Sequence, residues 1–438
     1  MTTLGSAKGK SLTVRDVLVR GRRLPLHERA ALFSTWLAGA KQESMGGVGS
    51  RIVCSPIDRE VLVADRTGAT QPMLMFGSNS YLGLTNHPYV RERVHDAIRQ
   101  FGVGVGGPPL LNGYSLLHRE LEERLAEFEG CEDCVLYGSG YSANVGVMSA
   151  LPTPQDHIVY DALSHASFID GVRLGGTSMT SFPHNDLDEL DALLAAMHEQ
   201  PGDRYVGIEG IYSMDGDFAP LTDIIYTCQR YGAISILDDA HGTGVAAPGG
   251  RGTATRFGVE GRVDVIVGTF SKAFGVSGGF AATTKPIADY LRLASRAYVF
   301  SASLPPTTVA AVLAGLDLLD QEPELQTRLI DNAAYLAQGL RALGFEASGN
   351  TGILPLPVPV GMDLRAAARA FHERGLFLNH IEYPAVKVSQ QRFRISLMAT
   401  HTTSDLDRLL TAIEEVWAEF APEGVKPGDA VLEPLAES

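Results

Sequence analysis

A lysine, an aspartate, two histidines and a set of small hydroxyls carry the chemistry this sequence can do. The lysine stands in Gly268-Thr269-Phe270-Ser271-Lys272-Ala273-Phe274-Gly275-Val276-Ser277-Gly278-Gly279-Phe280, fed by the apolar run Val263-Asp264-Val265-Ile266-Val267. That run reads as a buried strand. A lysine just past a buried strand is costly to keep charged, so its pKa should fall. A neutral amine held there is a nucleophile suited to a carbonyl, and the product is a Schiff base. The hydroxyls of Thr269 and Ser271 can bond a phosphate, and the glycines let backbone approach it closely. Alone, the segment is explained as well by a strand exit with a surface lysine. Its weight comes from what lies upstream.

Gly138-Ser139-Gly140-Tyr141-Ser142-Ala143-Asn144 joins a predicted strand to a predicted helix. A glycine-containing turn at a helix N-terminus presents free amides to an anion. Asp161-Ala162-Leu163-Ser164-His165-Ala166-Ser167 follows a second strand. A lone histidine there is more often a structural hydrogen-bonder, so His165 gains meaning only from its company. Glu209-Gly210-Ile211-Tyr212-Ser213-Met214-Asp215-Gly216-Asp217 follows a third strand. Asp238, in Asp238-Asp239-Ala240-His241-Gly242, closes an apolar strand and needs a cationic or donor partner. Phosphate turn, flat histidine, buried acid and lysine, in this order, are what pyridoxal 5'-phosphate requires. The phosphate takes amides and hydroxyls, and the imidazole can stack on the pyridine ring. The acid keeps the ring nitrogen protonated, and the lysine carries the aldehyde as an imine.

These residues need a scaffold that brings strand ends together. Between 134 and 280 short apolar strands (134–137, 158–160, 178–182, 205–208, 234–237, 263–267) alternate with helices near 142–149, 186–197 and 221–231. Such alternation implies an α/β fold with a mostly parallel sheet covered on both faces. Ligands in such sheets collect at the carboxyl ends of the strands, where the unusual polar residues sit. Upstream, residues 1–50 read as a partly helical arm interrupted at Pro25, and 52–63 as a first strand pair followed by the turn 65–68. Gly102-Val103-Gly104-Val105-Gly106-Gly107 matches GxGxxG but follows the helix 89–101 and runs into Pro108-Pro109. It lacks the strand–turn–helix order of a dinucleotide loop and reads instead as a flexible pocket wall. The helix 115–129 starts at a serine and ends at Gly130. Past 307 come helices 307–319 and 323–343, a strand-rich segment 353–360, a helix 364–374, a strand 393–397 carrying Arg394, and a helix 404–420. The expected division is an arm with first strands (1–70), a large cofactor domain (71–306), a smaller α+β domain (307–421) and a loose tail (422–438).

The chain has 438 residues, 45% hydrophobic and 20% charged, which is ample for a large core. Its net charge of −15 argues against a broad nucleic-acid surface. No apolar run reaches transmembrane length, and four cysteines point to a reducing, cytoplasmic compartment. Cys131-Glu132-Asp133-Cys134 has no second pair of cysteines near it, so no metal site is expected.

From Phe76 to Thr402 the chain resembles the α-oxoamine synthase family of fold-type I pyridoxal-phosphate enzymes. The motifs are Asn79-Ser80-Tyr81-Leu82-Gly83, His118-Arg119-Glu120-Leu121-Glu122, Ser164-His165-Ala166-Ser167, Tyr212-Ser213-Met214-Asp215-Gly216-Asp217, Asp238-Asp239-Ala240-His241, Gly268-Thr269-Phe270-Ser271-Lys272 and Ser303-Leu304-Pro305-Pro306. Thr269-Phe270-Ser271-Lys272, the run from Tyr298 to Pro306 and Ser181-Phe182-Pro183-His184-Asn185 are most similar to the bacterial serine palmitoyltransferase branch. Pro108-Pro109 and Asp215 depart from that branch. The resemblance implies an aspartate-aminotransferase-like large domain with a mostly parallel seven-stranded sheet, plus a smaller α+β domain. It implies decarboxylative condensation of an amino acid (serine, glycine or alanine) with an acyl thioester on coenzyme A or a carrier protein. The alternatives are a reaction like that of 8-amino-7-oxononanoate synthase or, further off, an aminotransferase or aldol-type lyase. By the same resemblance Lys272 holds the cofactor, His165 stacks on its ring, Asp238 pairs with the ring nitrogen, and Ser213 and His241 lie near the ring hydroxyl. Ser139, Gly140, Tyr141, Thr269 and Ser271 serve the phosphate. Ser301 reaches the phosphate of a second subunit in a homodimer. Asn79 and Arg394 hold substrate, and a guanidinium is suited to a carboxylate because it binds in two-pronged fashion.

Overall fold

A computed structural model describes residues 14–43, 51–65, 67–383 and 386–429. The strands are β1 (Ile52–Val53), β2 (Glu60–Ala64), β3 (Thr70–Met75), β4 (Asp133–Tyr137), β5 (His157–Asp161), β6 (Ser178–Phe182) and β7 (Arg204–Glu209). They continue with β8 (Ile234–Asp238), β9 (Val265–Thr269), β10 (Gly279–Thr283), β11 (Ile353–Pro357), β12 (Leu376–Phe377), β13 (Asn379–Ile381) and β14 (Arg392–Ser396). Seven of them form the central sheet in the order β4-β10-β9-β8-β7-β5-β6. β6, β5, β7, β8 and β9 pair in parallel, and β10 runs antiparallel to both β9 and β4.

Both faces of this sheet are dry. Along β4, Cys134 and Leu136 join one apolar cluster while Val135 and Tyr137 join another. This is the two-residue period of a strand buried on each side. One cluster is completed by the helices Leu187–Met197, Leu221–Tyr231, Leu116–Glu129 and Pro306–Gln321, the other by Gly140–Met148, Ala166–Gly175 and Lys285–Ala294.

The seventh strand is the element the residue pattern hid. Gly279-Phe280-Ala281-Ala282-Thr283 carries two alanines and a glycine, poor strand formers, and begins inside a segment that reads as a glycine-rich loop. Burial of all five residues between two strands overrides that preference. The lysine segment is therefore a hairpin connection, and Thr269 is the last residue of β9. The helix Ala166–Gly175, too, goes unmarked in the sequence pattern.

Other local expectations hold. Ser115 caps the helix Leu116–Glu129 in a reciprocal arrangement with His118, and Gly130 ends it at φ 69. Pro88 opens the helix Pro88–Phe101, and the arm forms the helices Val14–Gly21 and Leu26–Glu43 on either side of Pro25. A second sheet has the order β1-β2-β3-β12 and a third the order β11-β14-β13. β12 pairs in parallel with β3, so the first strands share a sheet with a C-terminal segment. The expected tail contains one 3-10 turn at Pro427–Asp429, and residues 430–438 lie outside the described residues, as do 1–13. Among the described residues no helix is long and apolar enough to cross a membrane.

Candidate active site

The carboxyl ends of β5, β7, β8 and β9 and the start of the helix Gly140–Met148 enclose a cavity of about 250 Å³. Ser139, Gly140, Tyr141, His165, Ser213, Asp238, His241, Thr269, Ser271 and Lys272 all line it.

Lys272 sits in the connection 270–278. That connection is closed by Phe270 N–H to Gly278 O (3.0 Å), Val276 N–H to Phe270 O (3.0 Å) and Gly275 N–H to Lys272 O (3.1 Å). Gly275 needs its freedom, with φ at 70, and a Cβ there would meet the Thr85 hydroxyl at 2.4 Å. The Lys272 amine makes no hydrogen bond or ion pair among the described residues. Burial pushes its pKa down to about 8 against the opposing pull of Asp238 and Glu209.

Asp238, the last residue of β8, is buried, and each of its oxygens accepts one hydrogen bond. Its Oδ2 accepts from Asn144 Nδ2 at 2.6 Å, and its Oδ1 from the Ala240 amide at 3.0 Å. The second Asn144 N–H reaches Ser167 Oγ at 3.0 Å, and that hydroxyl lies 2.7 Å from His165 Nδ1. The Ser167 amide also donates to Nδ1 at 3.3 Å, so the neutral ring carries its proton on Nε2. Burial, with Lys272 adding to it, holds His165 below its ordinary value. Asn144 thus ties the acid to the histidine in one network.

The Tyr81 hydroxyl and His241 Nδ1 are hydrogen-bonded at 2.7 Å, and burial keeps that imidazole well below its usual range. Arg394, on β14, is buried as well. Its Nε donates to Ser213 O (2.6 Å), and its Nη1 donates to Asn79 Oδ1 (2.9 Å) and Ser396 Oγ (2.9 Å). It makes no ion pair among the described residues. Asn79 and Arg394 do not line the cavity themselves; Arg394 reaches its wall through Ser213, and Asn79 through Arg394.

At the opposite end Ser139 caps its helix through Ser142 N–H (3.0 Å). The first-turn amides of Gly140 and Tyr141 are of the kind a helix leaves unbonded. Thr269 Oγ1 and Ser271 Oγ stand 2.9 Å apart, and a Cβ on Gly140 would come within 2.9 Å of Thr269 Oγ1. This is a cradle sized by a glycine. Ser301 is exposed and lines no part of the cavity of its own chain, and the glycine loop 102–107, expected as a wall, contributes no lining residue.

Asn144, Ser167, Glu209 and Ala240 line the cavity without having been picked out from the sequence. Glu209 carried a readable signal. It closes β7 as Asp238 closes β8, and the two are register partners. Burial, then the neighbouring Asp238, raises its pKa well above the ordinary carboxylate value. Its Oε1 and the Oδ1 of Asn144 are buried with no hydrogen-bond partner. Unsatisfied buried polar atoms around a pocket call for a polar occupant. Pyridoxal phosphate fits these residues: an amine of lowered pKa for its aldehyde, a fixed acid for its ring and an amide-and-hydroxyl cradle for its phosphate.

A lysine hairpin and an acid-ended neighbouring strand on a mostly parallel seven-stranded sheet define a pyridoxal-phosphate enzyme of fold type I. The family model described as aminotransferase class I and II matches residues 71–413. The 8-amino-7-oxononanoate synthase of Geotalea daltonii is 39% identical over 355 residues, 80% of this chain and 90% of the relative. The 4-hydroxy-2,2'-bipyrrole-5-methanol synthase PigH of a Serratia strain is 36% identical over 402 residues, 91% of this chain and 61% of the relative, so the chain spans less than two thirds of that protein. Among solved structures, the serine palmitoyltransferase of Sphingomonas wittichii has a TM-score of 0.83 at 32% identity, covering 89% of this chain and 97% of that one. The chain belongs to the aminotransferase class I and II family, among its pyridoxal-phosphate enzymes of the α-oxoamine synthase type.

Proposed function

We propose that this enzyme condenses a small amino acid (serine, glycine or alanine) with an acyl thioester, with loss of carbon dioxide, to give an α-aminoketone and a free thiol. The donor in this reading is a long-chain acyl group on coenzyme A or a carrier protein, as the likeness to serine palmitoyltransferase structures suggests. A second reading, a reaction like that of 8-amino-7-oxononanoate synthase, is favoured by the 39% identity to that relative. The observation that carries both is the unpaired, buried amine of Lys272, its pKa lowered to about 8, beside Asp238 and His165.

The bound cofactor supplies an electron sink for the substrate's α-carbon. Lys272 is the amine that would hold its aldehyde, and the same amine would be the base for the substrate's α-proton. Asp238, fixed by Asn144 and the Ala240 amide, would hold the ring N–H, and neutral His165 would lie against the ring face. Ser213 and His241 would stand near the ring hydroxyl. Ser139, Thr269, Ser271 and the amides of Gly140 and Tyr141 would take the phosphate, joined by Ser301 from the partner subunit. Arg394, steadied by Asn79, would clamp the substrate carboxylate.

Borohydride reduction of the loaded protein followed by peptide mapping should label Lys272; label on another lysine would remove the site assignment. Thiol release, measured with glycine, alanine and serine against acyl thioesters of several lengths on both carriers, then tests the reaction. Amino-group transfer to an oxoacid without thiol release would replace it with transamination.

A further inference from the structure

The segment Pro183-His184-Asn185-Asp186 leaves β6 at the edge of the sheet and contributes nothing to the cavity wall. Its histidine is nevertheless gripped from two sides. His184 Nδ1 lies 3.1 Å from both oxygens of Asp161, the last residue of β5, and Nε2 lies 2.9 Å from Asp217 Oδ2. Each ring nitrogen faces a carboxylate, with the Asn185 side-chain amide also 3.2 Å from Nε2, and two facing carboxylates favour the imidazolium. Burial alone would lower its pKa, but the bonds to Asp161 and Asp217 outweigh it and raise the value to about 10. Asn185, at φ 57, adds its backbone amide to Asp161 Oδ2 (2.9 Å) and its side-chain amide to Asp217 Oδ2 (3.0 Å). The Tyr212 ring meets the imidazole edge-on at 4.4 Å.

These bonds fasten one side of turn 212–217 to the ends of β5 and β6. The other side is fastened to the three-stranded sheet and its approach. Arg394 Nε reaches Ser213 O (2.6 Å), Arg392 Nη1 reaches Met214 O (3.1 Å) and Asp215 Oδ1 (2.6 Å), and Thr351 Oγ1 reaches Gly216 O (2.8 Å). Gly216 N–H to Tyr212 O (2.8 Å) and Tyr212 N–H to Asp217 O (3.0 Å) close the turn on itself, so it shifts as one piece. Among the described residues neither Asp161 nor Asp217 has another cationic partner. Without the imidazolium the two acids would lose their shared positive charge and be joined only through Asn185, which loosens the turn and the Ser213 carbonyl with it.

We propose that His184 is a positioning residue for the substrate: clamped between Asp161 and Asp217, it fixes turn 212–217 and thereby sets where the Arg394 guanidinium stands. This rests on the reading of Arg394 as the carboxylate clamp. The test titrates the loaded enzyme, following the cofactor's absorbance, with three amino acids and their amines lacking the carboxylate: L-serine and ethanolamine, L-alanine and ethylamine, glycine and methylamine. The ratio of the two dissociation constants reports the carboxylate's contribution alone. His184→Gln and Asp217→Asn should each shrink that ratio about tenfold, the scale on which changes along a contact network alter coupling. Amine binding should stay as in the wild type, and the double variant should lose no more than either single one. The half-exposed Asp217 side chain keeps the test available should His184→Gln fail to fold. If Arg394→Ala abolishes the ratio while His184→Gln and Asp217→Asn leave it intact, the positioning role is wrong and the clamp stands. If Arg394→Ala leaves it intact, the clamp reading fails, and the role of His184 with it. Equal losses for amines and amino acids, or additive losses in the double variant, overturn the proposal.

Discussion

Lys272 must be neutral before it can attack a carbonyl, and its burial supplies that state about two pH units earlier than water would. Capture of pyridoxal phosphate by the cofactor-free protein should therefore accelerate with pH and level off above about 8, as read from the rise of cofactor absorbance. A rate still climbing at pH 10 would mean an ordinary, solvated lysine. Asp238→Asn keeps the shape of the pocket and, with its oxygen toward Asn144, that bond, but gives up the bond from the Ala240 amide and removes the charge meant for the ring nitrogen. It should retain cofactor and lose turnover about a hundredfold or more, as when one aligned electrostatic partner is removed from an active site. Near-normal turnover would make Asp238 structural. Lys272 and Asp238 are readable from the sequence because a polar residue ending an apolar strand needs a reason. Asn144 is not readable in this way. Its importance lies in reaching Asp238 and Ser167 at once, which depends on how β8 and two helices pack.

At the scale of elements, the phosphate cradle depends on how close one helix start can come to β9. Gly140 and Thr269 leave no room for a methyl group. Gly140→Ala should cost about 1–3 kcal/mol of local overpacking, expressed mainly as weaker cofactor binding. Pyridoxal, which lacks the phosphate, should bind the variant nearly as it binds the wild type, and equal losses for both would refute the cradle. The His184 clamp has its own signature in stability, with Asp161, Asp217 and the Tyr212 ring as the groups that face it. Its pKa is raised on folding, so its contribution is complete below about pH 6.5 and fades as pH climbs toward 10. The melting-temperature gap between wild type and His184→Gln should narrow between pH 6 and 10; a gap independent of pH would mean the imidazole is held uncharged. Parallel strands and their helices are legible because apolar runs alternate with helical periods. β10 is not, because its partners, rather than its residues, make it a strand.

The whole molecule places Ser301 outside its own cavity, beside a largely exposed Phe300. If Ser301 completes a neighbour's phosphate site, a Lys272→Ala chain mixed with a Ser301→Ala chain should form dimers with one complete site. Ser301→Ala alone should weaken cofactor binding about tenfold, the loss of one hydrogen bond to a charged group, and mixing should restore it in that one site. A fully active, cofactor-loaded monomer in sedimentation would remove the shared site. The joining of β3 to β12 escapes the sequence for the same reason as β10: it is a contact between distant parts of the chain, each unremarkable alone.

The position of β10 also bears on how the protein is made. β4 lies at the edge of the central sheet and its one neighbour there is β10, so Val135 waits for Ala281. As the chain leaves the ribosome, β5 to β9 can assemble in turn, while β4 and the start of the helix after it stay without their sheet partner. Long-range pairings of this kind form late, after the entropy of closing the loop has been met. The cradle at Gly140 and the hairpin of Lys272 both depend on that final pairing. A nascent chain stopped short of Gly279 should hold most of a sheet and bind no cofactor, and capture of pyridoxal phosphate would then report the moment at which the central sheet is complete.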